Sequence, residues 1–144
     1  MISSTRELLA ERPDVWRFVA EPYHLPDWWP AYQAVHPDRR GLAPGARWRV
    51  AGRPWKASLA LLTRRPDAEF TIEIRTVVEG WELRWFDLAL QLEAGVALDN
   101  AGTGRTRATV YVDGAPWRML GAARSLPREA AKRLYDLVQT AATL

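Results

Sequence analysis

The chain of 144 residues has no cysteine and only two histidines, His24 and His36. A disulfide framework, a thiolate metal site and a cysteine nucleophile are therefore excluded. No His-x-x-x-His spacing pairs imidazoles on one helix face, and no Gly-x-Ser-x-Gly elbow presents a serine. Neither a metal centre nor any other cofactor is expected. Long apolar runs are missing too: none approaches the ~20 residues that cross a bilayer, and Met1-Ile2-Ser3-Ser4-Thr5-Arg6 lacks the apolar centre of a secretion signal. A soluble, cytoplasmic protein with no membrane span is the expectation. Repeats, low-complexity tracts and linkers are also absent, so residues 1–144 are read as one domain. At 16.3 kDa, it buries roughly 68–70% of its unfolded surface without needing staples.

Charge of one sign is scarce over most of the chain. Residues 1–113 hold equal numbers of basic and acidic side chains, so the net +3 comes from the last segment, where Arg118, Arg124, Arg128, Lys132 and Arg133 outweigh Glu129 and Asp136. The basic groups form no stripe interleaved with exposed aromatics, which argues against nucleic acid. Aromatic mass, in contrast, is abundant: eight Trp, four Tyr and three Phe.

Periodicity divides the chain into an α+β pattern. Residues 2–9 read as a first strand, and Pro13-Asp14 opens a short helix carrying Val15, Trp16, Phe18 and Val19. Pro22, Pro26 and Pro30 confine a second helix to a turn or two. From Ala46 onward the period becomes two, as in half-buried strands. Trp48 and Val50 alternate with Arg47 and Arg49; Phe70, Ile72 and Ile74 with Thr71, Glu73 and Arg75; Ala108, Val110 and Val112 with Arg107, Thr109 and Tyr111. Residues 55–64 add a more apolar strand, closed by a turn at Arg65-Pro66-Asp67.

Between Trp81 and Leu92 the apolar phase slips from odd positions (Trp81, Leu83, Trp85) to even ones (Phe86, Leu88, Leu90, Leu92). A β-bulge or sharp bend near Trp85-Phe86 is predicted, and with it a curved sheet. Gly102-Thr103-Gly104 has no helix signal after it and reads as a hairpin turn following Asn100, not a phosphate cradle. A helix initiated around Ser125-Leu126-Pro127, with Pro127 in its first turn, buries Ala130, Leu134, Leu137, Val138 and Ala141. Glu129 with Arg133 and Lys132 with Asp136 form i,i+4 pairs worth ~0.2–0.5 kcal/mol each.

Three segments follow one another at telling intervals: Val15-Trp16, Leu25-Pro26-Asp27-Trp28-Trp29-Pro30, and Leu42-Ala43-Pro44-Gly45-Ala46-Arg47-Trp48. Leu8 and Ala10 precede them, and Gly102-Thr103 with Arg105 follows. In this order the chain resembles the polyketide cyclase/dehydrase branch of the START-like (SRPBCC) superfamily over most of its length. The resemblance implies a helix-grip fold. A curved antiparallel sheet of about seven strands would wrap around a long C-terminal helix, with two short helices after the first strand. It also implies a cavity between sheet and helix, lined by Trp48, Phe70, Ile72 and Trp85 from the strands and by Leu134 and Val138 from the helix, with Trp29 near one mouth.

The expected function is binding of a small hydrophobic or polycyclic ligand of polyketide, isoprenoid or lipid type in that cavity. An alternative is a cyclase, aromatase or dehydratase using the same cavity; a further one is a protein-interaction module meeting an acidic partner through the basic C-terminal helix. The plainer alternative for the aromatics is that they fill the core. For Trp28-Trp29 the choice is between a gate and a split in which one ring packs inward and the other covers Tyr32. Candidate acid-base pairs are His24 with Asp27 and His36 with Asp38, each in a proline-rich segment that also suits a surface turn. Ser4 and Arg6 share a strand face with Ile2 and Leu8, and an inward Arg would need a partner.

Overall fold

A computed structural model describes residues 1–36, 45–52, 69–75, 81–88, 91–114 and 122–143. In chain order the elements are β1 (Ile2–Leu8), α1 (Arg12–Val19), a 3₁₀ turn (Pro22–His24), α2 (Leu25–Trp28), β2 (Tyr32–His36), β3 (Arg47–Gly52), β4 (Glu69–Ile74), β5 (Glu82–Asp87), β6 (Leu92–Asn100), β7 (Thr106–Gly114) and α3 (Ala122–Thr143). The strands form one antiparallel sheet in the order β1-β7-β6-β5-β4-β3-β2. α3 lies against β1, β7 and α2. This is the helix-grip arrangement, α+β, with two short helices after the first strand. No helix among the described residues is long and apolar enough to cross a membrane. The strand expected over 55–64 and the turn at 65–67 lie outside the described residues.

Alternation explains why each strand has a dry face. Leu83 and Trp85 of β5, Ala94, Val96 and Leu98 of β6, and Ala108, Val110 and Val112 of β7 all point into one core. α1 adds Val15 and Val19, α2 adds Leu25 and Trp28, and α3 adds Leu126, Ala130, Ala131 and Leu134. On β1, Ile2, Ser4 and Arg6 are half-buried and Leu8 fully buried, while their odd-numbered neighbours are exposed. The inward Arg6 places its guanidinium 5.4 Å from the centre of the Tyr135 ring, so the partner is an aromatic face.

The expected bulge at Trp85-Phe86 does not occur. β5 pairs with β6 without a break from Glu82↔Ala97 to Asp87↔Leu92, and Leu83, Trp85 and Asp87 stay in phase on the buried face. Phe86 faces the other way, under the Arg75 guanidinium at 4.8 Å, so the apolar switch in the sequence marks an aromatic on the outer face. Trp81 precedes the strand in the left-handed region, at φ 53°. Its carbonyl accepts from the Leu98 amide at 2.9 Å, and its ring meets Trp16 edge-on and the Arg12 guanidinium at 4.6 Å. Among the described residues a register shift is found instead in β2, between Tyr32 and Ala34.

α3 also differs from expectation. It is helical from Ala122, which places Pro127 inside the helix instead of in its first turn. Pro127 has no N–H to give the carbonyl one turn back; the buried Leu126 and Ala130 on either side of it supply the packing that holds the helix there. Neither Glu129–Arg133 nor Lys132–Asp136 closes into an ion pair among the described residues.

The outer face carries a cross-strand ladder of charge. Arg47 to Glu73 is 3.8 Å, Glu73 to Arg75 is 3.6 Å, Arg75 to Glu93 is 3.3 Å and Glu93 to Arg84 is 3.4 Å. The Arg84 Nε is out of line for a hydrogen bond, so that last contact is Coulombic only. Beside the ladder Tyr111 lies across Gly95, its register partner, and donates to Glu82 Oε1. The hairpin turn expected at Gly102–Gly104 is present, with both glycines at positive φ. It is tied to the start of the chain: the Gly104 amide donates to Glu11 Oε1 at 2.7 Å and Thr106 Oγ1 donates to the Ala10 carbonyl at 2.7 Å.

A methyl group at Gly95 would sit 2.5 Å from the Tyr111 hydroxyl oxygen and 2.8 Å from the Leu83 carbonyl. Gly95→Ala is therefore expected to cost about 1–3 kcal/mol in chemical unfolding. Adding Tyr111→Ala should recover only part of that loss, because the Leu83 carbonyl cannot swing aside.

Candidate functional site

Inside the curved sheet the residues Trp48, Ile72, Asp87 and Leu92 form one row across β3, β4, β5 and β6, each paired in register with the next. Three are apolar and the fourth is a carboxylic acid with 2% of its surface exposed. A carboxyl at such a position demands hydrogen bonds. Tyr32 supplies one: its hydroxyl donates to Asp87 Oδ2 at 2.7 Å and accepts from Trp85 Nε1 at 3.1 Å.

The path of that bond is informative. Tyr32 stands on β2, the far edge of the sheet, and β3 and β4 lie between it and β5. Three strand spacings in a flat sheet amount to ~14 Å, beyond the reach of one tyrosine. The bond closes because the sheet curls, and the irregularity beside Tyr32 helps turn that residue inward. Burial and the nearby Asp87 carboxylate push the Tyr32 phenol well above its ordinary value. The hydroxyl is therefore a fixed proton donor, not a base.

Aromatic rings wall this polar group. Trp29 meets Trp85 edge to face with centres 5.1 Å apart, Trp28 meets Trp85 at 6.0 Å and Trp29 at 5.9 Å, and Trp29 tilts over Tyr32 at 6.3 Å. Pro26 in the first turn of α2 and the short length of that helix place both tryptophans over the sheet. Both are buried, Trp28 against Trp85 and Trp29 tilted over Tyr32, in line with the reading in which one ring packs inward and the other covers Tyr32. Trp28 Nε1 is buried and has no hydrogen-bond partner; a donor left so costs about 1–3 kcal/mol. Tyr23, more than half exposed on the 3₁₀ turn, covers the Trp48 ring edge-on at 5.5 Å.

The sequence-selected lining residues are brought together in part. Trp29, Trp48, Ile72, Trp85 and Leu134 belong to one buried cluster, with Val138 half-buried against it. Phe70 occupies β4 opposite Val50; its side chain lies outside the described residues. His24 does meet Asp27, Nδ1 to Oδ2 at 3.3 Å, and stacks on Phe18 at 4.2 Å. Both members of the pair are substantially exposed, at 39% and 54% of their side chains. His36 is exposed at the end of β2, and Asp38 lies outside the described residues. Asp87, Tyr32 and the Trp28 indole escaped the sequence reading as polar elements of a site. The available signal was Leu83-Trp85-Asp87 itself: a carboxylate in phase with two apolar positions of a strand.

No family model matches the sequence, and no curated protein matches it. Solved structures do match the fold. XoxI from Bacillus cereus superposes with a TM-score of 0.70 at 10% identity, covering 99% of each chain. A START superfamily protein from Mycobacterium smegmatis gives 0.65 at 16% identity over 97% of each chain. The di-domain ARO/CYC StfQ from the steffimycin biosynthetic pathway gives 0.70 at 12% identity; 99% of this chain covers 46% of that one. The architecture is thus the START-like fold that these structures share.

The raised Tyr32 proton affinity sets a sign for pH dependence. Its contribution is fully present below the ordinary phenol value of 10.0 and is lost as pH rises toward the higher folded value. Unfolding free energy measured on both sides of that pH should fall more steeply in the parent protein than in Tyr32→Phe. Tyr111, raised by burial and by Glu82, contributes a second portion of the slope that Tyr111→Phe removes. Below the phenol range Tyr32→Phe is expected to be the less stable protein by about 1–3 kcal/mol, since Asp87 and Trp85 both lose the shared hydroxyl.

Proposed function

We propose that the concave face of the sheet, closed by α2 and α3, binds an apolar ring-bearing small molecule that carries a hydrogen-bond acceptor such as a carbonyl. The observation that supports this most is the buried Trp28 indole N–H without a partner, set among Trp29, Trp85 and the Tyr32–Asp87 pair. Tryptophan faces and edges suit flat ring systems, and a donor with no acceptor suits a ligand oxygen. Trp48, Ile72, Leu134 and Val138 supply the apolar surround, Phe70 the neighbouring strand position, and polyketide, isoprenoid and lipid ligands remain the classes that such a lining accepts.

A second reading has one observation behind it: Tyr32 holds its proton firmly beside a buried carboxyl. A ligand ketone that accepts from the Trp28 N–H loses a neighbouring proton more readily, and the Asp87 carboxylate held by Tyr32 is the group to take it, which is the step a cyclase or dehydratase requires. In that case the pocket folds the chain and the polar pair moves the proton.

Native mass spectrometry of the purified protein, followed by solvent extraction, is expected to show a stoichiometric apolar adduct; tryptophan fluorescence should be quenched on titration with polycyclic ketones. Trp28→Phe removes the N–H together with part of the indole, so it should weaken binding about tenfold or more and cost the free protein about 1–3 kcal/mol for the space left behind. Absence of both adduct and quenching would overturn the reading. Asp87→Asn separates the two functions. If the protein is an enzyme, turnover is lost while ligand affinity stays within about threefold; if it is a binder, only affinity responds.

A further inference from the structure

A concavity lies between the beginning of β1 and the first turns of α3. Its walls are Ile2, Ser3 and Ser4 on the strand and Arg124, Ser125 and Arg128 on the helix, and it encloses about 360 Å³, within the ~300–1,000 Å³ usual for small-molecule sites. Among the described residues, two guanidinium groups of the helix and the inward-facing Ser4 of the strand line it, beside Ile2.

Its electrostatics run against local preference. The start of a 22-residue helix bears partial positive charge and favours acidic neighbours. The first turn of α3 contains no acidic residue; Arg124 and Arg128 occupy the first two turns instead, four residues apart and therefore on one face. Four arginines elsewhere, Arg47, Arg75, Arg84 and Arg105, lie within ion-pair distance of a glutamate, and Arg6 and Arg12 lie over aromatic rings. Among the described residues no carboxylate answers Arg124 or Arg128. Two cations stacked on the positive end of a helix and facing a groove repel one another unless an anion lies between them.

We infer that this groove is a binding site for a phosphate monoester. Two guanidinium groups give forked donors for a dianion, and Ser4, on the inward face of β1 with Ile2, offers a hydroxyl donor from the opposite wall. The groove is open, so the phosphate sits inside while the rest of the ligand extends into solvent. The phosphate group is the recognised chemistry, whether it belongs to a soluble metabolite or to a lipid headgroup. The site is separate from the aromatic face, and neither depends on the other.

The test is a titration of the full chain with inorganic phosphate at constant ionic strength, followed by amide chemical shifts. Saturable shifts at Ser3, Ser4, Ser125 and Arg128 are expected, and chloride at matched ionic strength should not reproduce them. Arg124→Gln and Arg128→Gln should each weaken phosphate binding about tenfold. Both residues are exposed, and circular dichroism of the variants checks that α3 is intact. Glycerol 3-phosphate and vesicles of phosphatidylcholine with phosphatidic acid then distinguish the sources: the first competes for a soluble-metabolite site, the second co-sediments with a headgroup site, and either result must vanish in the double variant. No saturable shift in the parent protein, shifts spread over unrelated arginines, or binding unchanged in the double variant would overturn the inference. The shift measurement needs no substitution, so it decides the matter even if a variant fails to fold.

Discussion

The hydrogen bond from Tyr32 to Asp87 is the constraint on which the rest of this structure turns. It joins the edge strand β2 to β5 across two intervening strands, and it exists only in a sheet that has curled by the amount seen here. Curling brings α2 over the concave face, puts Trp28 and Trp29 against Trp85, and leaves the carboxyl of Asp87 inside a wall of indoles. A buried acid beside apolar residues is costly by itself; the phenol offsets that cost in one geometry only, so the pair selects a curvature as well as stabilising it. Trp85 extends the chain of donors, which makes the arrangement stiffer than a single bond.

The two faces of the sheet follow different physics. Outside, Arg47, Glu73, Arg75, Glu93 and Arg84 form a ladder of partly exposed charges, each contact worth less than about 1 kcal/mol. Their combined effect is to fix neighbouring strands in register while Tyr111 fills the space over Gly95. Inside, stability comes from area removed from water, and the few polar groups have to be accounted for one at a time. Among the buried polar atoms of the described residues that find no partner, the Trp28 N–H lies among the indoles of the core, which is why it supports the functional reading.

Much of the fold was legible in the sequence because it rests on period and punctuation. Val15 and Val19 on α1, the alternation of Trp48 and Val50, and the Gly102–Gly104 turn needed no long-range information. Phe86 was misleading for a physical reason: an aromatic on the outer face under Arg75 looks, in one dimension, like a phase change. Pro127 misled as well, since tertiary packing of Leu126 and Ala130 holds a helix through a residue that local rules place at its start. The site was less legible than the fold. Its aromatic members were conspicuous by type, whereas Asp87 and Tyr32 acquire their role from a contact between residues 55 positions apart, and no local pattern announces such a contact.

The pairing of β1 with β7 has a consequence for how this chain is made. Ile2 is opposite Val112 and Leu8 opposite Thr106, so the first strand has no partner until nearly the whole chain has left the ribosome. Until then the apolar side of β1 and an open strand edge are exposed. The charged and hydroxylated residues alternating through Ser3, Thr5 and Glu7 keep that waiting strand soluble. Closure of the sheet pairs residues such as Thr5 and Thr109, 104 positions apart in sequence, and topology of this kind makes for slow folding. The Gly104 amide on Glu11 and the Thr106 hydroxyl on Ala10 then act as the latch that records its completion.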